Sequence, residues 1–131
     1  MAFLNGQQIE LRMVGGGMNW QKAKGTIGTA DVNLIYSKSN GIAVVYVDIP
    51  YVSSASHTAS NEIILPEELQ GNTGVIAGGA DLWATGSWQS RIAFSWDSTK
   101  QVIKLMGSGA SYPSFNIGQM IQGYFILTYD N

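Results

Sequence analysis

A short segment in the second half of the chain combines aromatic rings with hydrogen-bonding side chains. Its members are Asp81, Trp83, Trp88, Gln89, Arg91 and Trp96. Indole rings can stack on the apolar CH faces of a sugar, while carboxylate, amide and guanidinium groups hydrogen-bond to the hydroxyls at its edge. This composition favours a saccharide-binding site, with every member of the segment except Trp96 as a candidate ligand contact.

The tryptophans of this segment have different surroundings in the sequence. Trp96 shares one face of a predicted strand with Phe94, so we expect it in the core. Trp83 also lies in a predicted strand, where it can face either the core or the surface. Trp88 lies in the turn-like stretch 85–90, where a large ring is difficult to bury. It is therefore either exposed for binding or folded back onto the protein.

Arg91 and His57 are the candidate basic contacts. Arg91 can hydrogen-bond to a pair of sugar hydroxyls or to a ligand phosphate, or it can instead form an ion pair with Asp81 or Asp97. His57, the sole histidine, lies in the polar stretch 53–60 and can contribute from a facing loop. Because no other histidine or cysteine stands at metal-ligand spacing, the sequence predicts neither a metal site nor a catalytic triad.

The acidic residues give little indication of catalysis. Hydrolysis of a glycan needs two carboxylates that converge on one bond, or a nucleophile beside a base. Nine Asp and Glu residues are scattered along the chain, and most adjoin turn residues or predicted strand ends, which is typical of solvated charge. The glycine-rich segments 15–17 and 107–109 lack the lysine of a phosphate-binding loop and are predicted to be turns. We therefore expect a non-enzymatic protein without a cofactor.

Composition limits the classes of partner. The 131 residues suffice for one domain, and charged residues make up only 12% of them. With a net charge of −2 and seven Lys and Arg spread singly, no basic stripe favours nucleic acid. The absence of cysteine excludes disulfides and thiolate chemistry. The longest apolar runs, such as 42–47, are too short for membrane insertion. A weakly charged, amide- and hydroxyl-rich surface suits a neutral, polyhydroxylated partner.

The elements that must position the candidate residues are β-strands. From Thr26 onward, apolar residues recur at every second position, the period of a strand with one buried face. The predicted strands span 32–36, 42–48, 63–65, 75–77, 81–85, 91–96, 101–106 and 123–129. Asn40 and Gly41 predict a hairpin turn, and Pro66 begins a single predicted helical turn, 66–70. About eight short strands at regular spacing predict an all-β domain, either an antiparallel β-sandwich or a small β-barrel of jelly-roll or Greek-key type.

The sequence also gives predictions for the other aromatic residues and for the N-terminal segment. Tyrosines and phenylalanines at alternating strand positions are predicted as core or sheet-face residues: Tyr36, Tyr46, Phe125 and Tyr129. The glycines at 15–17 predict a flexible joint, so residues 1–17 form a linker, the remnant of a stalk or an added segment, and 18–131 form the β domain. Trp20, beside this joint, is a candidate for packing against a neighbouring subunit.

The order of several short motifs resembles the C-terminal head domain of receptor-binding proteins of phages that infect Gram-positive bacteria, of the lactococcal siphophage type. The motifs are Asn19-Trp20, the hairpin through Asn40-Gly41 into 44–47, Ile64-Leu65-Pro66, the segment 92–97 that turns into 102–105, and the closing segment 123–129. The resemblance implies a homotrimer of β-barrel or jelly-roll heads that binds host cell-wall saccharide at the phage tail tip or baseplate. Glu67-Glu68-Leu69 departs from the sequence usual after the proline in this family.

Three functions remain open from the sequence. The first is a non-catalytic, saccharide-binding host-recognition head that works beside other tail or baseplate proteins in the virion. The second is a trimeric cap or decoration domain of a viral tail fibre, whose aromatic residues form subunit contacts. The third is a glycan-degrading enzyme domain. Replacement of Trp88 separates the first two, because it would abolish ligand binding in one and assembly in the other.

Overall fold

The computed structural model describes residues 2–4, 7–9, 19–50, 60–107 and 118–130. The strands in these residues are β1 (Ala2–Leu4), β2 (Gln7–Ile9), β3 (Gln21–Ile27), β4 (Ala30–Ser39), β5 (Ile42–Ile49), β6 (Glu62–Ile64), β7 (Gly74–Ala84), β8 (Ser87–Asp97), β9 (Val102–Met106) and β10 (Gln119–Thr128). A short 3-10 helix, Glu67–Leu69, occupies the predicted helical turn. Among the described residues, no helix is both long and apolar enough to cross a lipid bilayer. The all-β prediction is confirmed.

Eight of the described strands close into an antiparallel barrel, which is the second of the two predicted architectures. Their order around the barrel is β10-β5-β4-β3-β6-β9-β8-β7. The consecutive strands β3–β4–β5 and β7–β8–β9 form two meanders, and β10 joins them by pairing with both β5 and β7. Strand β6 closes the other side between β3 and β9. Every strand of this barrel pairs with two neighbours, although β6 pairs with β3 and with β9 over only two residues each. The strands β1 and β2 pair with each other in a separate hairpin.

The interior is filled by alternate residues of every long strand. On β4 and β5, for example, Leu34 and Val45 are buried while their neighbours in the sequence face outward. Phe94 and Phe125 meet edge to face inside the barrel, with ring centroids 5.1 Å apart. Trp96 packs against this core as predicted, although its ring is only partly buried. The outward-facing set of the same strands is therefore the surface on which a ligand can bind.

Two hairpin turns have backbone conformations that the strand twist favours. Asn40 and Gly41, between β4 and β5, have φ values of 54° and 79°, which confirms the predicted hairpin. Thr85 and Gly86, between β7 and β8, have φ values of 48° and 81°. Because the second turn is so short, it fixes which residues of β7 and β8 lie opposite each other.

Several element boundaries differ from the sequence prediction. The turn predicted over 85–90 ends at Gly86, because the next residues pair with β7, and Trp88 therefore lies on a strand. The two predicted strands 75–77 and 81–85 are one strand, β7, which continues through Gly78 and Gly79. Strand β3 was not predicted, because its inward positions carry Ala23 and Gly25, and the alternation that predicts a strand requires large apolar residues there. The proposed joint at 15–17 lies outside the described residues.

Candidate functional site

The site is organised by the carboxylate of Asp81, in the middle of β7. The flanking residues Ala80 and Leu82 are buried, so Asp81 points outward from the barrel. Its Oδ1 atom accepts a hydrogen bond from Trp88 Nε1 at 3.1 Å and another from Arg91 Nη1 at 3.3 Å. The structure thus brings together three of the predicted contact residues on two neighbouring strands. Asp81 lies mid-strand, not at a strand end as most of the acidic residues were predicted to be.

The Asp81 carboxylate holds these two side chains by their edges and leaves their faces open. Trp88 remains 54% exposed, and the side chain of Arg91 is 64% exposed. An ion pair this exposed contributes only about 0–1 kcal/mol to stability, so its main effect is to fix orientation. Of the two acids considered as ion-pair partners for Arg91, the structure selects Asp81. The other, Asp97, binds Lys104 at 3.3 Å instead.

Trp83 and Gln89 extend the site along the β7–β8 hairpin. Trp83 lies directly opposite Trp88, while Leu82 lies opposite Ser90, so Gln89 is an extra residue in a β-bulge. The Gln89 side chain is exposed and donates to the main-chain oxygen of Ser87 at 3.2 Å. Trp83 is half-buried on the outer face, which resolves the two orientations that its sequence left open. The bulge therefore places Trp83 and Trp88 opposite each other on neighbouring strands, next to Asp81.

A row of hydrogen-bonding side chains continues from Asp81 across the barrel. Arg91, Asp81, Gln122 and Asp48 lie opposite one another on the consecutive strands β8, β7, β10 and β5. We call these four residues the polar row. The Gln122 amide donates to Asp48 Oδ1 at 3.4 Å. The row therefore offers a guanidinium, two carboxylates and an amide along one line.

A row of aromatic residues lies beside the polar row, and its two tyrosines are two residues away from that row on β5 and β10. Tyr46 on β5 lies opposite Tyr124 on β10, and their ring centroids are 6.4 Å apart. Trp20 packs against Tyr46 at 5.5 Å, and its Nε1 has no hydrogen-bond partner in the described part of the chain. Tyr46 and Tyr124 are 49% and 38% exposed. We call Trp20, Tyr46 and Tyr124 the aromatic row; Tyr46 is a sheet-face residue, one of the two predicted alternatives.

Gly79 connects the two rows. It lies opposite Tyr124, and a Cβ atom built on it would stand 3.2 Å from Arg91 Nη2. The Arg91 guanidinium therefore occupies the space that a larger residue at position 79 would fill. Absence of a side chain at this position lets the charge reach toward the aromatic row.

The sequence analysis missed Tyr124, Gln122 and Asp48 as site residues. Their outward orientation could have been found, because Phe125 on β10 and Val45 and Val47 on β5 occupy the inward positions and leave these residues on the opposite face. Their proximity to Asp81 could not, because it depends on β10 inserting between β5 and β7. The predicted contact His57 lies outside the described residues.

The groups with shifted pKa values lie away from this face and have structural roles. Main-chain hydrogen bonds from Lys100 and Thr99, together with Lys104, lower the pKa of Asp97 in the β8–β9 turn. Burial raises the pKa of Tyr129 to about 12, with a further contribution from Tyr36. Among the described residues, no three or more His, Cys, Asp or Glu side chains gather as a metal site would require. The face around Asp81 thus offers hydrogen bonds and ring surfaces.

Comparisons with protein-family models, with curated proteins and with solved structures find no match for this chain.

Proposed function

We propose that this domain is the host-recognition head of a phage tail or baseplate receptor-binding protein, and that it binds a cell-surface saccharide without catalysis. The observation that carries the proposal is the Asp81 carboxylate, which fixes an exposed indole and an exposed guanidinium on one side of the barrel. The resemblance to phage head domains supplies the biological setting. The closed antiparallel barrel agrees with the fold that this resemblance implies.

The chemistry of this face suits a sugar better than it suits other ligands. A pyranose has an apolar face and hydroxyls around its edge. Trp88 can stack on the apolar face, and Asp81 and Arg91 can hydrogen-bond to the hydroxyls. The site is open and shallow, so each head would bind weakly. Several heads on one virion would then supply avidity, which a homotrimeric arrangement provides directly.

The test is binding of purified, multivalently displayed protein to cell walls of Gram-positive bacteria and to a glycan array. We expect binding to wall polysaccharide, and loss of most of it in Trp88→Ala. Ile64→Ala is the matched control, because Ile64 has the same exposed fraction, 54%, and lies on β6, which is not one of the strands that carry the polar row. Absence of binding to any wall or glycan would overturn the proposal, and release of reducing ends from the wall would overturn its non-catalytic part.

The cap or decoration function is favoured by one observation, the exposed aromatic row. If these rings and Trp88 form subunit contacts, Trp88→Ala or Tyr124→Ala should dissociate the oligomer. Light scattering on the same variants distinguishes the two functions, because a receptor-binding head loses ligand binding while its assembly is unchanged in Trp88→Ala.

A further inference from the structure

We infer that the saccharide site does not end at the β7–β8 hairpin but continues across β10 to β5, with Tyr124 and Tyr46 as a second stacking surface. The ligand is then an oligosaccharide that lies across the strands, rather than a single sugar held by Trp88. This inference rests on the proposed function and specifies its ligand.

The dimensions of the face fit an extended ligand. The polar row crosses four neighbouring strands, a distance of about 14 Å at the usual spacing of paired strands. The two tyrosines of the aromatic row lie two residues from the polar row along β5 and β10, a distance of roughly 7 Å. Both rows can therefore contact one chain of sugar rings. Tyr124 and Gln122 are two residues apart on β10, and Tyr46 and Asp48 are two residues apart on β5. A single sugar would leave most of these groups unused.

The atoms of the polar row are available for ligand hydroxyls. Both hydrogen bonds to Asp81 within the described residues go to Oδ1, so its Oδ2 can accept a bond from a sugar hydroxyl. Gln122 lies opposite Asp81; its NH2 group bonds to Asp48, and its amide oxygen can serve as an additional acceptor. The row thus presents one guanidinium donor and several acceptors to the hydroxyls of an oligosaccharide.

The tyrosine rings are placed for stacking. The planes of Tyr46 and Tyr124 are inclined at 51°, so neither ring covers the face of the other. Trp20 packs against Tyr46, with ring centroids 5.5 Å apart. Beyond Tyr46, Ile35 on β4 leads to an open groove of about 510 Å³ whose lining includes Lys22 and Asn33. The surface thus continues in the direction that a longer chain would follow.

Charge distinguishes this face from a subunit interface. Interface cores are depleted in charged residues, because burial of a charge without a partner is costly. The Asp48 carboxylate lies two residues from Tyr46 on β5, and the Arg91 guanidinium lies over Gly79, directly opposite Tyr124. A second copy placed on the tyrosines would bury these charges, whereas an oligosaccharide would hydrogen-bond to them. The polar row therefore selects the sugar chain as occupant.

The experiment compares fragment lengths. Wall polysaccharide from Gram-positive bacteria is partially hydrolysed, separated by size, and titrated against the intact protein, with fully hydrolysed monosaccharides alongside. We expect affinity to increase with length over the first few sugar units. Tyr124→Ala and Tyr46→Ala should each weaken the binding of long fragments about tenfold and reduce the dependence on length, whereas Ile64→Ala should bind as the wild type does.

The outcomes separate this inference from the proposed function. If long and short fragments bind equally, and the tyrosine variants match the wild type while Trp88→Ala does not bind, the extended site is refuted and the saccharide function stands. If intact wall and all fragments fail to bind, the function itself fails. If Tyr124→Ala or Tyr46→Ala dissociates the oligomer in light scattering, a second copy occupies the aromatic row and the inference is overturned.

Discussion

The guanidinium of Arg91 lies over the bare backbone of Gly79, with Nη2 3.2 Å from the position that a Cβ atom at residue 79 would take. Gly79→Ala should displace the guanidinium by a few tenths of an ångström. Because the Arg91 side chain is exposed and flexible, we expect the free energy of unfolding to change by about 0.5 kcal/mol or less. Binding to wall saccharide should weaken severalfold, which titration would measure.

Gly123→Ala is the matched comparison, on the neighbouring strand. An added Cβ at Gly123 would collide with the backbone of Gly79 and with Ala80, neither of which can rotate away. This variant should lose about 1–3 kcal/mol of stability in chemical denaturation, the usual cost of overpacking. Equal stability losses in the two glycine variants would contradict the distinction between a flexible and a rigid neighbour.

Much of the fold followed from residue periodicity. The alternation through Val45 and Val47, and through Phe125 and Leu127, predicts strands with one buried face, and this holds because burial of that face drives strand formation. The pattern fails at β3, where inward positions carry Ala23 and Gly25. Strands with small inward residues are stabilised by their neighbours, which a local pattern does not contain.

The candidate site, like the fold, could be predicted from the sequence only in part. Asp81, Trp88 and Arg91 lie on one hairpin, so residues close in sequence are also close in space. Tyr46 and Gln122 join them only through the strand order, because Gln122 lies 41 positions after its partner Asp81 and Tyr124 lies 78 positions after its partner Tyr46. Strand order depends on how the whole barrel closes, so it cannot be predicted from any single segment of the sequence.

Thr85 has a left-handed backbone conformation, with φ of 48°, in the turn between β7 and β8. A β-branched residue is strained there, whereas asparagine adopts this conformation readily. Thr85→Asn should therefore raise the free energy of unfolding by about 0.5–1 kcal/mol in urea denaturation. The hydrogen bond from the Thr85 main-chain nitrogen to Gly118 is independent of the side chain and should persist.

Asn40→Thr is the reciprocal change, because Asn40 holds the corresponding position of the β4–β5 turn with φ of 54°. It should lower stability by about the amount that Thr85→Asn adds. If asparagine proves less stable than threonine at position 85, the φ-strain argument is wrong for this turn.

Asp97 should make the fold sensitive to acid. Main-chain hydrogen bonds from Lys100 and Thr99, with Lys104 nearby, hold the pKa of this carboxyl below its ordinary value of 3.8. The stability that Asp97 contributes is therefore present above about pH 4 and is lost as the pH falls through its folded-state pKa. Asp97→Asn should be less stable than the wild type at neutral pH and should lose less stability on acidification. Denaturant titrations between pH 6 and about pH 2 would measure both slopes, and parallel slopes would exclude this role.

Tyr129 should make the stability of the fold sensitive to alkaline pH. Its hydroxyl donates to the main-chain oxygen of Leu69 at 2.8 Å, and Lys38 Nζ lies 3.7 Å from its ring centroid. Burial raises the pKa of Tyr129 from 10.0 to about 12, so the folded state retains a proton that the unfolded chain loses. The stability from this residue is full below pH 10 and is lost as the pH rises toward 12. Tyr129→Phe removes the ionisable hydroxyl but keeps the ring beneath Lys38, so its stability should decline less steeply over this interval. Denaturation at a series of alkaline pH values would measure the difference, and a variant that declines as steeply as the wild type would show that Tyr129 does not carry this dependence.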